Sequence, residues 1–158
     1  MTAAPRAITL KADIANLDSL FAFIGEDLDA GGCPQKERGQ IELAAEEIFV
    51  NIVNYAYHDN NNTEYIKIDS HVRLLPEKMV ISLAFTDYGR PFNPLEQKEP
   101  DISVPLKERK IGGLGLLIVK KTMDTILYSY EGGANRLEFS KSWQRRNNGN
   151  DHRSGENQ

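Results

Sequence analysis

Two runs of strand-forming residues, 65–75 and 79–86, stand on either side of Pro76-Glu77-Lys78, and this pairing constrains the fold more than any other feature of the chain. Runs of that kind around a short turn close into an antiparallel hairpin. A hairpin alone is marginal in water and needs further strands or a helix against its apolar face. The flanking sequence supplies both. Ile8 and Leu10 alternate with Thr9 and Lys11, the mark of a short strand with one buried face. After Asp13, a candidate N-cap, Ile14, Leu17, Leu20, Phe21, Ile24 and Leu28 recur at helical spacing until Gly31-Gly32. A second helix is predicted over 35–57, with Ile41, Ala44, Ala45, Ile48, Ile52, Val53 and Ala56 on its apolar stripe. A third fits 114–124, and two last strands, 125–130 and 135–143, flank a Gly132-Gly133 turn. The order β α α β β α β β predicts an α+β two-layer sandwich. In it a mixed, mainly antiparallel sheet is covered on one face by three helices.

Composition narrows the class. A chain of 158 residues with 40% hydrophobic and 27% charged residues makes one globular domain, expected over 1–143. The tail 144–158 (QRRNNGNDHRSGENQ) carries no apolar residue and is expected to be disordered. Residues 88–113 are rich in Pro, Gly and charge without a clean period, which predicts a functional lid. A formal charge of −4 and a pI near 5.4 exclude the basic stripe that nucleic acid requires. The single cysteine, Cys33, excludes an internal disulfide and a cysteine-cluster metal site. With no long apolar run and no signal-type leader, the expected location is the cytoplasm, away from membranes.

Three segments carry chemistry. On the second helix Glu47 and Asn51 are four residues apart and Asn54 three further on, a spacing that projects all three from one face. A carboxylate above a carboxamide suits a metal-phosphate site, where the amide oxygen ligates a hard cation and the carboxylate orients or deprotonates a hydroxyl. Taken alone, E-x-x-x-N is more often a solvated helix face. Asp87-Tyr88-Gly89 directly follows a strand. Asp87 there can accept from an exocyclic amine such as that of adenine, and Gly89 lets the backbone approach a flat ligand. Taken alone, D-x-G is a common turn. Gly113-Leu114-Gly115 opens the third helix, where free amides and the positive dipole end attract phosphate. The competing reading is a hinge before a buried helix. The spacing matches neither the Walker pattern nor the dinucleotide fingerprint.

In this order the three segments resemble the boxes of the GHKL ATPase superfamily, the Bergerat fold. Within it the chain is most similar to the small bacterial anti-sigma-factor serine/threonine kinases. DYGRPFNP resembles their D-x-G-x-x-F-[DN]-P, GGLGLLIVK their G-x-G-L-x-[IL]-[IV]-K, and EEIFVNIVNYAY their E-x-x-x-N-x-x-x-H-A-Y. The resemblance covers residues 6–143 and departs at Tyr55, where the family usually carries His.

It implies ATP and Mg²⁺ as cofactors, Glu47 as general base and Asn51 as metal ligand. It also implies a nucleotide-binding set of Asn51, Asn54, Asp87, Gly89, Phe92, Lys110, Gly113, Leu114, Gly115 and Leu116. Lys107, Arg109 and Lys110 are candidates for neutralising the γ-phosphate, on charge logic more than on motif. The implied substrate is a STAS-type anti-sigma antagonist, with a sigma factor and a second copy of the chain as further partners. The alternatives are a non-catalytic ATP-binding partner switch and a histidine-kinase-like ATPase domain.

Overall fold

Alternation along the hairpin becomes a sheet with one buried face. Ile66, Ile68, Ser70 and Val72 of β2 (Tyr65–Leu74) are buried, and so are Ile81, Leu83 and Phe85 of β3 (Lys78–Asp87). In the computed structural model, which describes residues 3–57, 64–96 and 113–145, the hairpin is flanked by β1 (Arg6–Lys11), β4 (Thr125–Glu131) and β5 (Ala134–Gln144). The strand order is β1-β2-β3-β5-β4. Every pairing among the described residues is antiparallel, simpler than the mixed sheet expected from the sequence.

Helices α1 (Leu17–Ala30), α2 (Gln35–Asn51) and α3 (Gly113–Thr122) cover the apolar face. The Asp13 side chain accepts from the Ala15 amide at 2.9 Å, capping the turn that leads into α1. Leu20, Ile24 and Leu28 of α1, Ile41, Ile48 and Phe49 of α2, and Val119 of α3 meet Phe85 and Phe139 of the sheet. Each such side chain contributes about 1.5–3 kcal/mol by leaving water. A polar latch seats the edge of the layer. Buried Asp27 of α1 accepts from Ser70 Oγ at 2.6 Å and pairs with Arg6 Nη1 at 2.9 Å.

Trp143 closes the core edge, its indole N–H donating to the Gly31 carbonyl at 3.0 Å. Burial pushes the Cys33 thiol up to about 11, so no reactive thiolate forms there at neutral pH. Among the described residues, no helix is long and apolar enough to cross a membrane.

The connection order places the site. From β3 the chain passes through α3 to the edge strand β4 and then turns back through Gly132 and Gly133, both at positive φ, into β5. That return wedges β5 beside β3 and sets Asn135 opposite Asp87 in the register.

Candidate functional site

The site starts where α2 changes its winding. After Asn51 the helix widens into a π-turn over Ile52–Ala56, and its last carbonyls lack ordinary intrahelical partners. Arg90 supplies them: its amide donates to Ala56 O at 3.2 Å and its Nε to Tyr55 O at 2.8 Å. Gly89 rests directly on this helix end. A Cβ there would stand 2.7 Å from the Ala56 carbonyl carbon and 2.9 Å from its Cβ, so only glycine fits. The Tyr57 hydroxyl accepts from the Tyr88 amide at 2.8 Å and donates to Tyr65 O at 2.9 Å. Burial pushes that phenol up to about 12. The D-x-G segment is therefore fastened to the helix that carries Glu47 and Asn51.

Asp87 ends β3 and is 2% exposed. Its Oδ1 accepts from the Gly89 amide at 3.0 Å and from Asn135 Nδ2 at 2.9 Å. Burial raises the proton affinity of Asp87, and these two hydrogen bonds pull it back. Asn135 also donates to Arg90 O at 2.8 Å, while its Oδ1 accepts from the Phe92 amide at 3.1 Å and from the Tyr128 hydroxyl.

Between these groups lies a slot of about 20 Å³ lined by Asn51, Asp87, Phe92, Tyr128 and Asn135 over an apolar floor that includes Ile48, Phe85 and Leu137. That volume holds about one water. Phe92 forms the loop wall of the slot, stacked on Tyr55 with ring centroids 5.2 Å apart. Asn51 is 7% exposed, and its Nδ2 has no partner among the described residues. A buried amide in that state is costly unless a ligand completes it.

One turn before Asn51, about 6 Å along the axis, the Glu47 carboxylate lies against Gly115 in the first turn of α3. A Cβ on Gly115 would overlap that carboxylate. Burial first, and Glu46 second, raises the proton affinity of Glu47.

The structure thus brings together Glu47, Asn51, Asp87, Gly89, Phe92 and Gly115. Gly113 is the first residue of α3, Leu114 is exposed, and Leu116 is buried in the core rather than facing the slot. Asn54, within the π-turn, is exposed and does not line the slot. Lys107, Arg109 and Lys110 lie outside the described residues, as does most of the segment expected to form a lid. Lys120, in the same motif as Gly115, donates to Leu95 O at 3.0 Å and so ties α3 to the loop after Phe92. Sequence reasoning gave no role to Asn135, Tyr128 or Tyr57. The only signal for Asn135 is the strand register, which the sequence does not display.

A family model described as the histidine kinase-like ATPase domain matches residues 10–141. The chain belongs to the histidine kinase-like ATPase family. The match runs from β1 into β5 and includes every segment that forms the slot. ATP is the nucleotide that this family handles. No curated protein matches in sequence. Among solved structures, the fold is similar to that of the RsbU and RsbW domains of Rv1364c from Mycobacterium tuberculosis. The TM-score is 0.58 at 16% identity, over 90% of this chain and 33% of that one. The chain thus spans about a third of that relative's length, and the likeness is one of fold.

Proposed function

We propose that this chain is an ATP- and Mg²⁺-dependent protein serine/threonine kinase. Its substrate is a STAS-type anti-sigma antagonist, and phosphorylation regulates transcription by partner switching in the cytoplasm. A sigma factor and a second copy of the chain are the further partners in this reading. The observation that carries it is the contact of the Glu47 carboxylate with Gly115, which sets a half-buried base beside the helix opening suited to phosphate.

The residues divide the work. Asp87 accepts the exocyclic amine of adenine, with Gly89 giving the base its backbone approach. The amides of Gly113, Leu114 and Gly115 face the phosphates. The Asn51 carboxamide oxygen is the ligand that the family likeness implies for Mg²⁺, and its buried Nδ2, without a partner among the described residues, is a donor for an oxygen of the bound nucleotide. The cation, when bound, neutralises charge on the phosphates. Glu47 takes the proton from the substrate hydroxyl as that oxygen bonds to the γ-phosphorus, and ADP leaves with the bridging oxygen. Its raised proton affinity makes Glu47 a stronger base than an exposed carboxylate. The sequence likeness to anti-sigma-factor kinases supports this substrate class, and the fold shared with an RsbW-containing protein is consistent with it.

The test is Glu47→Gln, assayed with labelled ATP, Mg²⁺ and STAS-domain proteins from the same genome. ATP affinity should stay within a few-fold of the parent, while transfer falls by about 10²–10⁴. Transfer at the parental rate removes Glu47 as base. A parent that binds ATP and partner without phosphorylating it selects the non-catalytic switch.

A further inference from the structure

We propose that Asn135 is the positioning residue of the nucleotide-base site. It holds Asp87 with one carboxylate oxygen committed to the protein and the other left for an aminopurine, and it sets the shape of the loop 87–92 around the slot. The proposal rests on the reading of Asp87 as the acceptor of the adenine amine.

Asn135 is 3% exposed, and its carboxamide is fully used. The two Nδ2 hydrogens go to Asp87 Oδ1 at 2.9 Å and Arg90 O at 2.8 Å, with Gly89 O at a marginal 3.4 Å. Oδ1 takes the Phe92 amide at 3.1 Å and the Tyr128 hydroxyl. A reversed amide would turn its NH₂ toward the Phe92 N–H and its oxygen toward the Asp87 carboxylate, so the orientation is unambiguous. Four of the five partners belong to the segment 87–92, although Asn135 lies more than forty residues further along the chain. One buried side chain therefore fixes an entire ligand-facing loop.

The consequence for recognition follows from Asp87. Its Oδ1 is occupied by Asn135 and Gly89, and Oδ2 accepts from no described residue while Asp87 lines the slot. A carboxylate held twice by one oxygen presents the other in a fixed direction, so its ordering cost is met before a ligand arrives. An exocyclic amine finds an acceptor there. A ring oxo group in the same place meets an anion, which selects aminopurines against oxopurines.

Asn135→Asp provides a test that a merely structural role would not move. Two touching carboxylates share one proton. With that proton present, the acid O–H of the new residue donates to Asp87 as Asn135 does. Once it leaves, the pair repels and the loop loses its anchor. Among the described residues, the other titratable or charged groups near the pair are Tyr128 and Tyr130 of β4, Arg136 of β5, Tyr57 beyond α2, and Tyr88, Arg90 and Glu96 of the loop. Burial holds the Tyr57 and Tyr128 phenols above their ordinary range, and all these groups are common to parent and variant.

ADP affinity is measured by calorimetry between about pH 5.5 and 8.5 and expressed as the ratio of variant to parent, which cancels the titration of ADP itself. We expect a loss at the acid end, set by the missing donor to Arg90 O, that deepens by at least a further tenfold at the alkaline end. A flat ratio overturns the proposal. If the ratio is flat while Asp87→Ala still abolishes binding, the adenine reading stands without it. A parent that binds no ADP removes both. Should Asn135→Asp unfold at alkaline pH, Asn135→Ser keeps a short donor but cannot span Arg90 and Phe92. A folded Asn135→Ser protein should lose at least tenfold in ADP affinity, and parental affinity there also overturns the proposal.

Discussion

Two glycines of the site face different neighbours, and alanine at each should separate stability from chemistry. A Cβ on Gly89 meets the main chain of Ala56, at 2.7 Å from its carbonyl carbon, and neither backbone can yield without moving an element. Relief must lift the loop, which breaks the Arg90 N–H to Ala56 O bond and strains the Gly89 N–H to Asp87 bond. Two hydrogen bonds at about 1 kcal/mol each, with about 1–3 kcal/mol of overpacking, put Gly89→Ala at roughly 3–5 kcal/mol. For a domain of this size that lowers Tm by roughly 6–20 °C.

The three atoms nearest a Cβ on Gly115 all belong to the end of the Glu47 side chain, which can swing to another rotamer. Alanine regains up to about 1 kcal/mol of helix propensity there, so Tm should stay within about 3 °C of the parent. The displaced carboxylate is no longer beside the phosphate site, however, and phosphoryl transfer should fall by about 10²-fold. Thermal melts followed by circular dichroism, together with transfer from labelled ATP, read both quantities. A Gly89→Ala protein that melts with the parent would refute the seating of the loop on the helix end. A Gly115→Ala protein with full transfer would refute the placement of the base.

Two further predictions concern the same helix. Because the fold raises the pKa of Glu47, its contribution to stability is fully present below the ordinary carboxylate value of 4.5 and lost as pH rises through the raised value. Glu47→Gln should therefore gain stability over the parent above that window and lose the advantage below it. Denaturant melts at a series of pH values measure this, and a pH-independent difference would show that Glu47 is not desolvated. Asn51→Ala should weaken ATP binding in Mg²⁺ while scarcely changing it in chelator. Equal losses in both titrations would remove Asn51 from the metal.

The sequence by itself determined the parts that depend on neighbours along the chain. Periodicity alone marks α1, the hairpin of β2 and β3, and the two-layer class, because side-chain direction repeats every 3.6 or 2 residues. The four-residue step from Glu47 to Asn51 and the placement of Asp87 and Gly89 at a strand end are legible for the same reason. The π-turn after Asn51 was not, and its last carbonyls find their partner in Arg90, on a separate loop. The pressing of Gly115 on Glu47 required α3 to pack on α2, which no local pattern records. Asn135 is the clearest case. It faces Asp87 only because the chain visits edge strand β4 first and returns to lay β5 beside β3. Strand order and register are set by which apolar faces can be buried together across the whole domain, so the residue that organises the site stays invisible until the sheet is assembled.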